Sequence, residues 1–154
     1  MAERVSKITD NPIRMAFEGA IPHNLDIGIV LIDAQDGKAL AKLPYDERLV
    51  GDPETGVIHG GVVTTLIDTV CGLAAMTALN KLQPIVTLDL RIDYLKPAAP
   101  KEELLARAKV YKVTRQVVFV RAVAFQSDED DPVANAVGTF MLPGRLGPRT
   151  DKAN

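Results

Sequence analysis

The longest apolar run in the chain, Val62 to Leu79, consists of Val, Ile, Leu, Ala, Met, Thr, Cys and Gly, with Asp68 as its single charge. A helix built from it has no polar face, which predicts a helix buried all round. At 1.5 Å per residue it is about 27 Å long, enough to cross the middle of a small domain. The surrounding stretch Gly56 to Asn80 is therefore the centre on which the other elements are arranged. A lone carboxylate in that setting is costly unless it is paired, hydrogen-bonded, open to a cleft or protonated, so Asp68 is a candidate functional residue.

On either side of this helix the pattern has shorter periods. Ser6 to Ala20 reads as a leading helix, with Asn11 as N-cap and Pro12 in its first turn. Ile21 to Leu25 reads as a loop. Ile27 to Asp33 and Lys38 to Pro44 read as a hairpin turned by Asp36-Gly37, and Tyr45 to Thr55, with its polar residues, Gly51 and Pro53, as a loop feeding the helix. From Leu82 to Pro97 the alternation places Val86, Leu88, Leu90, Ile92 and Tyr94 on one face, to pack on the helix. Thr87, Asp89, Arg91 and Asp93 fall on the other. Glu102 to Val113, Gln116 to Gln126 and Val133 to Leu142 complete six strands. Gly144 to Asn154 has no apolar pattern and reads as a mobile tail. With no linker or repeat, residues 1–154 are expected to form a single α+β domain, with residues 1–20 its leading helix and one curved antiparallel sheet wrapped around one long helix.

Composition narrows the function classes. The chain has 154 residues, 47% of them hydrophobic, and a net charge of −2, which gives no basic field for a nucleic acid backbone. The segment MAERVSKITDNPIRM lacks the apolar core of a secretory signal, and Cys71 is the single cysteine. Both favour the cytoplasm. Asp68 and four threonines in the apolar run argue against a membrane span. His23 and Asp26 are half of a metal site with no further partners, so no metal is expected.

Two features carry chemistry. His59, Gly60 and Gly61 lead into the helix, where free backbone N–H groups and the helix dipole attract negative charge, and Gly60 is a candidate oxyanion donor. The same glycines also serve a tight turn, and His59 a hydrogen bond that locks it. Asp68 adds a carboxylate able to activate water or attack a carbonyl carbon. Eight helical residues separate Gly60 from Asp68 by about 12 Å, too far for both to serve one carbonyl within one chain. Two copies with antiparallel helices about a two-fold axis bring Gly60 of one to Asp68 of the other, implying a dimer with two sites. Cys71 lies about 18 Å along from His59 and reads as a small buried hydrophobe.

The segment GVIHGGVVTTLIDTVCG, residues 56–72, resembles the HGG-x4-L-x-D signature of hotdog-fold thioesterases of the phenylacetate-degradation type. VTLDLRIDYLKPA, residues 86–98, resembles the strand that follows in that family. The resemblance covers about Pro22 to Leu142 and implies a hotdog fold, hydrolysis of acyl-CoA thioesters at sites between subunits, and a homodimer or a dimer of dimers, a homotetramer. By position it implies Gly60 as the amide that polarises the carbonyl, Asp68 as nucleophile or base, and Thr87 as the hydroxyl that positions water. His59, Gly61 and Thr65 are the substrate-binding candidates at the helix entry; Lys96, Lys101, Arg115 and Arg121 are candidate cations for the CoA phosphates, Lys96 and Arg115 foremost, and each also reads as a solvated strand-end or turn residue. No cofactor is implied, coenzyme A being part of the substrate. Some family members carry Asn or Gln six residues before the His, where this chain has Pro53. The alternatives are a hotdog hydratase or dehydratase using His59 and Asp68, and a non-catalytic acyl-CoA-binding module.

Overall fold

The computed structural model describes residues 13, 17, 21–79 and 83–142. The leading helix read at Ser6 to Ala20 lies outside the described residues except for Ile13 and Phe17, both helical, with Phe17 buried. The tail from Gly144 also lies outside them.

Where the sequence suggested a loop, residues Pro22–Ile27 form a short helix, α1. Proline suits the first turn because its missing N–H has no acceptor there, and Gly28, at φ 82°, ends the helix in the left-handed conformation. That helix and its cap take Ile27 and Gly28 from the first strand, so β1 begins later, at Val30, and runs to Gln35; β2 is Lys38–Leu43. Asp36 and Gly37, with φ of 48° and 73°, make the expected tight turn between them. The stretch Tyr45 to Thr55 is also more ordered than a loop. A 3-10 turn at Glu47–Leu49, capped by the Asp46 carboxylate on the Arg48 N–H, leads to β3 (Val50–Asp52), which pairs with β4 (Val57–Ile58). The long helix, α2, is Gly60–Thr77, and four long strands follow: β5 (Val86–Tyr94), β6 (Leu104–Val113), β7 (Val117–Phe125) and β8 (Ala134–Met141).

The six long strands form one antiparallel sheet in the order β1-β2-β6-β7-β8-β5, and α2 touches all six. Sheet and helix divide the core volume unequally. Across the sheet, Ala41, Ala106, Ala124 and Ala134 are in register on four neighbouring strands, and so are Ala39, Ala108, Ala122 and Ala136. All eight are buried. Opposite these two rows of methyl groups the helix supplies Leu66, Ile67, Val70 and Leu73, also buried. Small residues facing large ones fill the layer at native density without strain.

The helix is not buried all round. Val63, Leu66, Ile67, Val70, Cys71, Leu73, Ala74, Ala75 and Thr77 are buried, whereas Thr64, Thr65, Asp68, Thr69, Gly72 and Met76 are half-exposed along one stripe. Asp68 therefore sits on the side that the sheet covers only at its edge strand, β5.

The reading of β5 also needs correction. Leu88 has no partner in register, a bulge between Thr87 and Asp89, and an inserted residue reverses which side chains face inward beyond it. Thr87 pairs with Phe140, Leu90 with Gly138, Ile92 with Ala136 and Tyr94 with Ala134, partners that are all buried on the helix side. The five apolar residues thus split. Leu90, Ile92 and Tyr94 face the helix, Val86 and Leu88 are 45% and 53% exposed, and Thr87 is on the helix side after all.

Two predictions follow from this packing. Ala106→Leu, which forces a large side chain into the methyl rows, should destabilise the protein by about 1–3 kcal/mol in urea unfolding; an unchanged midpoint and slope would mean the layer has slack. Burial, with a smaller effect from the Asp68 charge, pushes the Cys71 thiol up to about 12. Because that folded value lies above the ordinary 9.0, the protonated thiol's contribution to stability is complete below the ordinary value and declines as pH rises towards the folded one. Native protein at pH 8 should therefore react with a disulfide reagent no faster than it unfolds, and rapid stoichiometric labelling would contradict this burial.

Candidate active site

The entry of α2 is built from its backbone donors. His59 is the N-cap: its Nδ1 accepts the Gly61 N–H at 2.9 Å, and its carbonyl accepts those of Val62 and Val63 at 2.9 and 3.4 Å. Of the first four helical N–H groups, only that of Gly60 finds no acceptor among the described residues. It lies at the positive end of the helix dipole.

The surroundings hold this entry firmly. The His59 N–H donates to the Leu49 carbonyl at 2.9 Å. Gly51 of β3 lies so close that a Cβ there would stand 2.8 Å from His59 Cα, which excludes any larger residue without displacement. At Gly60 the case differs, because an added Cβ would meet the Tyr94 hydroxyl at 3.7 Å, an ordinary contact. The Gly60 carbonyl accepts from the Tyr94 hydroxyl at 2.9 Å and from Thr64 Oγ1 at 3.1 Å, and those two hydroxyls are 2.6 Å apart. Tyr94 was read in the sequence only as an apolar strand residue. Its inward position beyond the bulge is what makes it a tether between β5 and the helix entry.

Two turns along the helix, Asp68 Oδ1 accepts from Thr87 Oγ1 at 2.9 Å. Oδ2 has no partner among the described residues, so the carboxylate is oriented through one oxygen and open at the other. A general base or nucleophile needs that arrangement. Asp68 opens on a cavity of about 1000 Å³ between α1, α2 and β5. Thr64, Thr65, Asp68, Thr69 and Thr87 give it a polar section, while Gly72, Leu73, Met76, Ile85 and Phe140 give it an apolar one. On the α1 side lies Asn24, a residue the sequence did not single out. It is 2% exposed, accepts from Thr69 Oγ1 at 3.2 Å through Oδ1, and has a buried Nδ2 with no partner among the described residues.

Of the candidates named from the sequence, Asp68, Thr65 and Thr87 line the cavity, and His59, Gly60 and Gly61 form the helix entry outside its lining. Lys96 is ion-paired with Asp131, Arg115 sits in the turn between β6 and β7, and neither lines the cavity. His23, read as an exposed loop residue, is exposed on α1 at the cavity wall. Among the described residues no three His, Cys, Asp or Glu side chains are grouped as metal ligands.

Known proteins share this framework. Residues 55–133 match the family model described as the thioesterase superfamily, a little over half of the chain. A putative esterase of Halobacterium salinarum is 39% identical over 118 residues, covering 73% of this chain and 77% of that protein. Human acyl-coenzyme A thioesterase 13 is 29% identical over 117 residues, 76% of each. A Pseudomonas aeruginosa protein of known crystal structure superimposes with a TM-score of 0.76 at 40% identity, over 84% of this chain and 95% of that one. With the sheet, the central helix and the signature at residues 59–68 in place, the chain belongs to the thioesterase superfamily, as a hotdog-fold thioester hydrolase.

Proposed function

We propose that the protein hydrolyses acyl-CoA thioesters at sites formed between two copies of the chain. The observation that carries this reading is the separation of two complementary groups. The Gly60 N–H is the unmatched donor at the helix entry, Asp68 has one oxygen free, and about 12 Å of helix lies between them. A carbonyl held by the first is beyond attack from the second in the same chain. A partner with its helix antiparallel closes the gap twice, once at each end.

In this reading the thioester carbonyl takes the Gly60 N–H of one chain, whose dipole stabilises the oxyanion as the tetrahedral intermediate forms. Asp68 of the other chain, oriented by Thr87, either attacks the carbonyl carbon through Oδ2 or removes a proton from the water that does; collapse expels the thiolate of CoA. The edge strand β5, with Val86 and Leu88 exposed on it and Leu95 just after it, supports the pairing, since an exposed apolar edge favours a partner. Human acyl-coenzyme A thioesterase 13 supports the substrate class. A hydratase reading is weaker. His59 Nδ1 accepts the Gly61 N–H, so the ring's proton is on Nε2 and neither nitrogen is free to act as a base.

Complementation tests the shared site. Asp68→Asn keeps the side-chain volume and loses the basic oxygen. Gly60→Pro replaces the N–H with a ring carbon, at the first helical position where proline is tolerated. Each alone should lower turnover by at least about a hundredfold, while Gly60→Ala, which keeps the N–H, stays within about tenfold of the parent. In a mixed dimer of the Asn and Pro variants one site is intact and one doubly defective. An equimolar, re-equilibrated mixture should therefore recover about a quarter of parental activity. No recovery on mixing, with mixed dimers demonstrated by mass spectrometry, would place both groups in one chain; near-normal turnover in Asp68→Asn would remove that residue from the mechanism.

A further inference from the structure

Gly72 stands four residues beyond Asp68 on the same face of α2, inside the helix, where glycine costs more backbone entropy than any other residue. Packing does not demand it. A Cβ built there would meet Ile85 Cδ1 at 3.6 Å and Phe140 Cε1 at 4.0 Å, both ordinary contacts, and its φ lies outside the left-handed region that favours glycine. Gly72 lines the cavity between Asp68 and Met76 on α2, and a side chain larger than a methyl group there would narrow it against Ile85 and Phe140. Towards the helix entry from Gly72 the lining includes Thr65, Asp68 and Thr87, and around and beyond it Leu73, Met76, Pro84, Ile85 and Phe140, with Gln83 the polar residue among them. A substrate entering with its reacting carbon at Asp68 must lay its apolar part across Gly72.

We propose that Gly72 is a specificity-determining residue, the opening through which a straight-chain acyl group of about six to ten carbons reaches the far section of the cavity. This rests on the reading of Asp68 as the reacting end. Along the helix Gly72 is about 6 Å from Asp68 and Met76 about 12 Å. An extended hydrocarbon advances about 1.25 Å per carbon, so its fifth carbon arrives at Gly72 and roughly its tenth at Met76. A butyryl group ends before the glycine and does not sense it. Octanoyl and decanoyl groups pass it and bury their remaining methylenes against Met76, Ile85 and Phe140.

The test is the chain-length profile of kcat/KM for the parent, Gly72→Ala and Gly72→Val with butyryl-, octanoyl- and decanoyl-CoA. The parent should prefer the two longer substrates. Gly72→Val should lower decanoyl-CoA hydrolysis by at least about thirtyfold and change butyryl-CoA hydrolysis by less than about threefold. Gly72→Ala, whose methyl group has room and which should melt no lower than the parent, should lie between. Equal losses at both lengths, or an unchanged profile in both variants, would overturn the inference while leaving the thioesterase reading intact. If the parent hydrolyses none of the three, the thioesterase reading fails. Gly72 is then judged by calorimetric titration with decanoyl-CoA: binding abolished by Gly72→Val and retained by Gly72→Ala upholds the opening, and equal binding by all three proteins ends it.

Discussion

Everything in this fold depends on how sheet and helix share the volume between them. A sheet curved around a single helix has its inner face crowded towards the middle, where large residues from both sides would collide. Here the sheet yields: two in-register rows of alanines cross β2, β6, β7 and β8, and α2 brings the branched side chains. The helix is therefore free to be almost wholly apolar, since one side is gripped by strands and the other closes over a cavity. The site is a by-product of that division, because the residues left on the ungripped side are the threonines, Asp68, Gly72 and Met76.

Much of this could be read from the chain. Length and uniform polarity gave the central helix, and alternation gave six strands, though not their order in the sheet. The Asp-Gly pair marked the first hairpin, and the solitary charge marked the carboxylate. Local pattern was weaker where backbone geometry overrode it. Alternation in β5 assumes that each residue takes one place in the ladder, and the bulge at Leu88 breaks that assumption without any glycine or proline to announce it. Thr87 was consequently put on the wrong face, and Tyr94 was given an apolar role when its hydroxyl is the part that acts. The helix Pro22–Ile27 carried its signals openly, proline at the start and Gly28 after the end, but six residues hold too little periodicity to stand out. Asn24 left no trace in the sequence at all, because its interest lies in what surrounds it.

The catalytic candidates are held by different kinds of force. Asp68 is oriented by one hydroxyl across a gap between helix and strand. The helix entry is oriented by backbone: the His59 ring and carbonyl satisfy three of the four leading donors, Gly51 wedges beneath, and Tyr94 with Thr64 pins the Gly60 carbonyl. A donor positioned by so many fixed neighbours needs little reorganisation when charge develops in front of it, which is the condition under which backbone dipoles are most effective.

The opposite end of the helix is fastened as well. Thr77 Oγ1 accepts the Gly37 N–H from the turn between β1 and β2 and donates to the Ala74 carbonyl, both at 2.9 Å. With His59 held by Leu49 at one end and Thr77 by a hairpin at the other, α2 can neither slide nor rotate against the sheet without breaking a buried bond. The helix is a ruler nailed at both ends, and the graduations along it are side chains. Evolution of this scaffold towards a different ligand is then confined to editing those graduations one position at a time, at steps of about 1.5 Å, rather than to shifting the scale.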